Sequence, residues 1–260
     1  MTSEILIPED ESLSLLQRLE SLRKQIGKIP MVLDDSVQPG PRYLDSRRFD
    51  INRFLEVFDR IKPLDGYVLD YFYHADEVGG YPVPFTRREN ADASALLQKL
   101  NKYLTEHNPA PLEDDLPPVF RYPNLIKHLE FEKTGSGYFQ FAVFSQVVRR
   151  FYLYWHALYG EIEFILSKSQ LDRLRKAIAH RLRKIAHAHK RPISSEALSA
   201  LNSVDLRPRI SMTGDSAEVT IVVFTEWGGF FYDHTKIKWP STIMGGRRTL
   251  IADYDCGRIF

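Results

Sequence analysis

Two stretches decide the fold that this sequence predicts: residues 138–159, YFQFAVFSQVVRRFYLYWHALY, and residues 169–190, SQLDRLRKAIAHRLRKIAHAHK. In both, apolar residues recur at spacings of three or four. The positions are Phe141, Phe144, Val148, Phe151, Trp155 and Leu158 in the first stretch, and Leu171, Leu174, Ile178, Leu182 and Ile185 in the second. A helix with this period has an apolar stripe that must be buried. The sequence therefore predicts two long helices, joined by a short strand at 162–166, around which other elements pack.

The first stretch also fits a strand at its beginning. Phe139, Phe141, Val143 and Val147 alternate with other residues, and the aromatic content favours a strand. No turn signal interrupts the residues before Gly160, however, and an ordinary strand is far shorter than this stretch. We therefore interpret residues 138–159 as a helix.

The remaining pattern predicts an α+β fold, in which an antiparallel sheet packs against the pair of long helices. The strands of that sheet are expected near 209–212, 217–226, 230–237 and 250–254. Before them, a helix ending at Ile26, a hairpin at 66–88 and a helix ending near Glu106 form an N-terminal helix–hairpin–helix lobe at 1–107. The proline-rich residues 108–124 are predicted to be a linker to a C-terminal α+β region at 125–260. Alternatively, the whole chain forms one continuous domain.

Composition excludes several classes of protein. The 260 residues are 43% hydrophobic and 12% aromatic, as in folded globular proteins. The single cysteine, Cys256, excludes an internal disulfide and a cysteine-cluster zinc site. The acidic N-terminus does not resemble a signal peptide, and no apolar run reaches the length of a membrane-spanning helix. We expect a soluble cytoplasmic protein that does not bind membranes.

The charge distribution is uneven although the net charge is only +1. Residues 168–191 contain nine of the 35 lysines and arginines and one of the 34 acids, so this segment carries +8 and the remainder carries −7. At 100° per residue, six groups fall on one face of the second helix: Arg173, Lys176, His180, Arg183, Lys184 and His187. Their mutual repulsion destabilises the helix modestly. An acidic protein or another polyanion, including nucleic acid, could offset the repulsion, and so could acids of this chain.

A second candidate site follows from a polar stripe on the first predicted helix. Ser145, Arg149, Tyr152 and His156 recur at spacings of four, three and four, so one helix face would carry all of them. An arginine, a tyrosine and a histidine beside a core are suited to binding an anion or to acid–base catalysis. Such a site would make the protein an enzyme that acts on RNA or another phosphate ester.

The sequence contains none of the motifs that would identify a particular class of enzyme. The glycine pairs lack the spacing of a phosphate-binding loop, and no hydrolase, metalloprotease or kinase motif is present. No cofactor or metal is predicted, and no catalytic residue is assigned. We therefore favour a non-enzymatic interaction or regulatory protein that docks through the basic helix. A homo-oligomer with aromatic residues in its subunit interface is a further alternative.

Overall fold

The computed structural model describes residues 3–29, 42–45, 48–75, 79–106, 126–151, 154–155, 162–184, 195–226 and 228–254. Within these residues the protein is a mixed α+β structure with antiparallel sheets and six helices, which confirms the predicted fold class. The helices are α1 (Glu9–Ile26), α2 (Arg53–Val57), α3 (Ser94–Glu106), α4 (Gly135–Val147), α5 (Lys168–Lys184) and α6 (Ser195–Asn202).

The described strands form three sheets. They are β1 (Ser3–Leu6), β2 (Arg42–Leu44), β3 (Ile61–Pro63), β4 (Tyr67–Ala75), β5 (Gly79–Arg88), β6 (Leu129–Phe131), β7 (Tyr154–Trp155), β8 (Glu163–Phe164), β9 (Arg209–Thr213), β10 (Ser216–Thr225), β11 (Gly229–Lys238) and β12 (Thr242–Ala252). The six-stranded sheet has the order β1-β9-β10-β11-β12, with β8 also pairing with β10. The four-stranded sheet has the order β2-β4-β5-β7, and β3 pairs with β6.

The chain folds into two compact units. Unit 1 comprises Met1–Ser14, Glu161–Ile237 and Met244–Phe260, and unit 2 comprises Leu15–Gly160 and Lys238–Ile243. This division differs from the expected lobes at 1–107 and 125–260, because the chain passes between the units more than once. Residues 108–124 lie outside the described residues, so their role as a linker stays a prediction. Helices α4 and α5 belong to different units, and their predicted packing as a pair also stays a prediction.

Unit 2 is built around α4, which is buried on every side. Its side chains include Tyr138, Phe139 and Phe141, each fully buried. The ring of Phe141 stacks on that of Phe131 in β6 at 4.8 Å between centroids. A helix that is apolar all round has to lie inside a core rather than on a surface. The hairpin of β4 and β5 contributes Phe72 and Phe85 to a second apolar cluster, which also contains Tyr43, Ala93 and Leu100.

The predicted helix at 138–159 is wrong in its length. Helix α4 begins earlier, where the hydroxyl of Thr134 accepts a hydrogen bond from the amide of Gly137, and it ends at Val147. The chain then turns, and Tyr154–Trp155 pair as β7 with Gly79 and Gly80 of β5. The alternative of a strand at the beginning of this stretch is also wrong.

Unit 1 consists of the six-stranded sheet with α5 and α6 packed on one of its faces. The shared core contains Leu171, Leu174 and Ile178 of α5, Ala197 and Leu201 of α6, and Val222, Phe224 and Phe230 of the sheet. The predicted strands near 209–212, 217–226 and 230–237 are confirmed. The last strand begins at Thr242, well before the predicted start at Leu250.

Candidate functional site

Helix α5 is fixed at its beginning by side-chain caps. The hydroxyl of Ser167 accepts a hydrogen bond from the amide of Gln170 at 3.2 Å, and Oε1 of Gln170 accepts one from the amide of Leu166 at 2.8 Å. The serine contact is that of a capping box, while the glutamine accepts from the amide of the residue before the N-cap instead of that of the N-cap itself.

One side of α5 packs against the rest of unit 1. Leu171, Leu174 and Ile178 are buried against the sheet and α6. Beside them, Arg175 donates to Oδ1 of Asn202, at the end of α6, from Nη1 at 3.1 Å and from Nη2 at 3.0 Å. Nη1 also lies 3.6 Å from the carboxylate of Asp172. The rotation of α5 about its axis is therefore determined by packing and by a specific polar contact.

Arg173 and Lys176 lie on the opposite side of α5, and Lys168 lies on its flank. Lys168, Arg173 and Lys176 are exposed, and within the described part of the chain none of them makes an ion pair or a side-chain hydrogen bond. The helical backbone continues to Lys184, so positions 180, 183 and 184 follow at the same period. The side chains of His180, Arg183 and Lys184, and all of His187, lie outside what the structure describes.

The helix face that was predicted to carry Arg149, Tyr152 and His156 does not form. Since α4 ends at Val147, these residues do not follow one another along a helix face. Arg149 is half-buried just beyond the helix, while Tyr152 and His156 lie outside the described residues. The argument that placed the three side chains together is therefore wrong, and we do not assign a catalytic site to them.

A polar cluster on the sheet of unit 1 was missed by sequence analysis. Its centre is His234, whose Nδ1 lies 3.1 Å from the hydroxyl oxygen of Thr220 and whose Nε2 lies 3.3 Å from that of Thr249. Oε1 of Glu218 is 3.6 Å from the same Nδ1 and 3.6 Å from Nη2 of Arg247. Burial, together with the Arg247 guanidinium, holds the pKa of His234 below its ordinary value, although nearby carboxylates oppose this shift. The cluster joins the strands β10, β11 and β12. The only sign of it in the sequence is that alternate residues of β10, including Glu218 and Thr220, share one face of the strand.

A cleft of about 740 Å³ in unit 2 is lined by charged residues of the β4–β5 hairpin and the segment before α2. Its polar groups are largely used to hold that segment in place. Asn52 exchanges two hydrogen bonds with the backbone of Leu69, at 3.0 Å and 2.9 Å, and also donates to Asp50. Arg87 bonds to Asp70 at 2.6 Å. These contacts stabilise the loop, so we assign them a structural role.

Within the same described residues, no group of three or more His, Cys, Asp or Glu side chains could hold a metal ion. None of the helices described above combines the length and the apolar character needed to cross a membrane. The assignment of a docking site to α5 stays a prediction. The chain matches no protein-family model, no curated protein and no solved structure.

Proposed function

We propose that this protein is a non-enzymatic interaction or regulatory protein that docks an acidic or phosphate-bearing partner through the outer face of α5. The observation that carries the proposal is the exposure of Arg173 and Lys176 without an anionic partner among the described residues. Lys168, the first residue of the helix, is exposed as well, but it lies on a flank of this face. The proposal includes the cytoplasmic location expected from the sequence.

The fold of α5 makes this surface rigid. Leu171, Leu174 and Ile178 are buried, and Arg175 is bonded to Asn202, so the helix cannot turn its cations inward without losing both interactions. A rigid array of charges is already arranged for its partner, which lowers the entropy lost on binding. Exposed cations on one face also attract an anionic partner over a distance comparable to the Debye length.

The chemistry of the face favours recognition of charge rather than of bases. The exposed residues of α5 from Lys168 to Ala177 include no aromatic side chain. Stacking on aromatic rings is the usual means of binding single-stranded nucleic acid without sequence preference. A carboxylate-rich protein segment or a phosphate group is therefore the simplest ligand for this surface.

The test compares two charge reversals of equal size. The double variant Arg173→Glu, Lys176→Glu alters the proposed face, and the control Lys28→Glu, Lys99→Glu alters two exposed lysines of unit 2 that form no ion pair among the described residues. Binding to fluorescein-labelled poly-glutamate and to a labelled RNA of twenty nucleotides is measured by anisotropy at low and moderate salt.

We expect the α5 variant to bind about tenfold more weakly than the control, with a smaller salt dependence, because cationic contacts contribute most of such binding. Circular dichroism establishes that both variants remain folded. Equal affinities for the two variants would end the proposal. A loss confined to poly-glutamate would identify an acidic protein as the partner, and a loss confined to RNA would identify a phosphate-bearing one.

A further inference from the structure

Strand β12 lies at the edge of the six-stranded sheet in the part of the chain that the structure describes. Among the described residues β12 pairs only with β11, so one row of its backbone amides and carbonyls has no strand partner there. Every residue from Met244 to Leu250 is exposed, so both faces of the strand are open as well. Met244 and Leu250 retain 51% and 55% of their accessible surface. The opposite edge strand, β1, has four residues, whereas β12 has eleven.

Long open edges are templates for strand addition, and most proteins shorten, cover or bend them. Near the beginning of β12, Gly245 has a φ of +151°, a backbone conformation that favours glycine. A Cβ at Gly245 would meet no atom within 4 Å, so the glycine is required by the backbone conformation and not by crowding. After this glycine, Arg247 to Ile251 continue the extended strand next to β11.

The charged side chains of β12 indicate which kind of strand could pair with its edge. Arg247 and Arg248 are consecutive, so their side chains leave opposite faces of the strand. Arg247 lies 3.6 Å from Glu218 and Arg248 lies 2.9 Å from Asp233, but a guanidinium has five N–H donors and each contact uses only some of them. The side chain of Arg247 remains 65% exposed. Lys236 on β11 adds an exposed cation nearby.

A second copy of this chain is a poor occupant in the registers centred on the arginines. Antiparallel pairing of two β12 strands about a two-fold axis at Arg247, or at Arg248, would place that arginine directly opposite its own copy. Like charges at directly opposed positions destabilise a strand pair. A strand with carboxylates at two consecutive positions would instead meet one guanidinium on each face.

We propose that the edge of β12 from Arg247 to Ile251 binds an extended acidic segment of a partner protein by β-strand addition. Backbone hydrogen bonds provide the affinity, and the two arginines select for acidic side chains on both faces of the added strand. This inference goes beyond the docking function of α5, because it rests on another element of unit 1 and on a different mode of recognition.

The test uses a labelled eight-residue peptide of valine and threonine with two central glutamates. Two derivatives carry N-methyl groups on alternate amides, one on the odd and one on the even positions. An added strand directs only one of these sets toward β12, so we expect one derivative to bind about tenfold more weakly and the other to bind like the parent. A peptide with lysine in place of glutamate should also bind weakly.

Protein variants separate this site from α5. Arg247→Gln, Arg248→Gln should weaken binding of the parent peptide about tenfold, while Arg173→Glu, Lys176→Glu should leave it unchanged. Hydrogen exchange should show new protection at the amides of 247–251 when the peptide is bound. Equal effects of both methylated peptides, or loss of binding in the α5 variant alone, would overturn the proposal. A concentration-dependent dimer that protects the same amides without peptide would assign the edge to a second copy instead.

Discussion

Nε of Arg87 donates a hydrogen bond to Oδ2 of Asp70 at 2.6 Å, across the hairpin formed by β4 and β5. The side chain of Asp70 is 8% exposed, and its other oxygen accepts from the amide of Tyr71 at 2.9 Å. Nη1 of Arg87 also lies within 3.2 Å of three carbonyl oxygens, those of Arg88, Glu89 and Ala91. This one guanidinium therefore neutralises a buried carboxylate and fixes the chain that follows the hairpin.

Loss of this guanidinium should destabilise unit 2 strongly. Arg87→Met leaves the Asp70 carboxylate buried without its counter-charge, and we expect the free energy of unfolding to fall by about 3–5 kcal/mol. The double variant Asp70→Asn, Arg87→Met should lose less, because it leaves no unpaired buried charge. Urea unfolding followed by circular dichroism measures both.

The matched control for Arg87 is an exposed ion pair of the same unit. Lys62 lies 3.0 Å from Glu130, with side chains 75% and 30% exposed. Lys62→Met should lower stability by less than about 1 kcal/mol, since solvent screens such pairs. If Arg87→Met proved as mild as Lys62→Met, the Asp70 contact would not contribute in the manner described.

The cap of α5 gives a second prediction. Ser167→Ala removes the acceptor of the Gln170 amide and should destabilise the protein by about 1 kcal/mol. Asp172→Ala removes only a 3.6 Å contact with Arg175 and should change stability by less than about 0.5 kcal/mol. Thermal unfolding of the two variants in the same buffer compares them. If Asp172→Ala were the more destabilising change, the hydrogen bond of Ser167 would not stabilise the beginning of α5 as described.

The exposed and buried sides of α5 could be predicted because they depend on a local period. Leu171, Leu174 and Ile178 are buried as expected, and Arg173 and Lys176 are exposed as expected. A helix at a protein surface has one apolar side, so spacing along the chain specifies which residues face the core. No knowledge of distant segments is needed for that inference.

The end of α4 could not be predicted in the same way. Phe151 continues the apolar spacing of the helix, yet it lies in the turn after it, with its ring 5.0 Å from that of Tyr71 and 5.4 Å from that of Phe49. A helix surrounded by core has no polar side, so apolar spacing does not mark where it stops. The contacts of Phe151 with Tyr71 and Phe49 stabilise the turn that ends α4. Both partners are distant in sequence, so the residues around Val147 do not reveal this end.

The cluster around His234 was missed for a related reason. It assembles from β10, β11 and β12, so its geometry depends on the register between strands. The alternation of β10 places Glu218 and Thr220 on one face but does not identify the residues opposite them. Strand pairing of this kind is non-local, and a single sequence specifies it weakly.

The third prediction concerns Gly137, in the first turn of α4. A Cβ at this position would lie 1.9 Å from the carbonyl oxygen of Glu132, which is too close for any side chain. Gly137→Ala must therefore displace backbone in the core, and we expect a loss of about 3 kcal/mol or more. Gly27→Ala is the control, because its Cβ would lie 3.4 Å from the nearest atom, an ordinary contact. Similar melting temperatures for the two variants would contradict the packing seen at Gly137.

The fourth prediction concerns the protonation of His234. Burial lowers its pKa, and the positive charge of Arg247 lowers it further, while Glu218 and Asp233 raise it. In the folded protein we expect the pKa of His234 to lie below the ordinary value of about 6.5. Replacing Arg247 with glutamine removes one cause of the shift, so Arg247→Gln should move the pKa of His234 upward. Two-dimensional NMR of the histidine ring protons measures the titration directly.

The same shift has a defined effect on stability. Because the folded-state pKa of His234 is lowered, the unfolded chain binds this proton more readily than the folded protein does. The contribution of His234 is therefore fully present above about pH 6.5 and is lost as the pH falls through the folded-state pKa. Arg247→Gln should reduce this loss. His128 is an internal control, since burial, Lys127 and Arg88 lower its pKa, and Arg247 is not among the causes. If Arg247→Gln moved His128 as much as His234, or moved neither, the charge of Arg247 would not act on His234 as the distances imply.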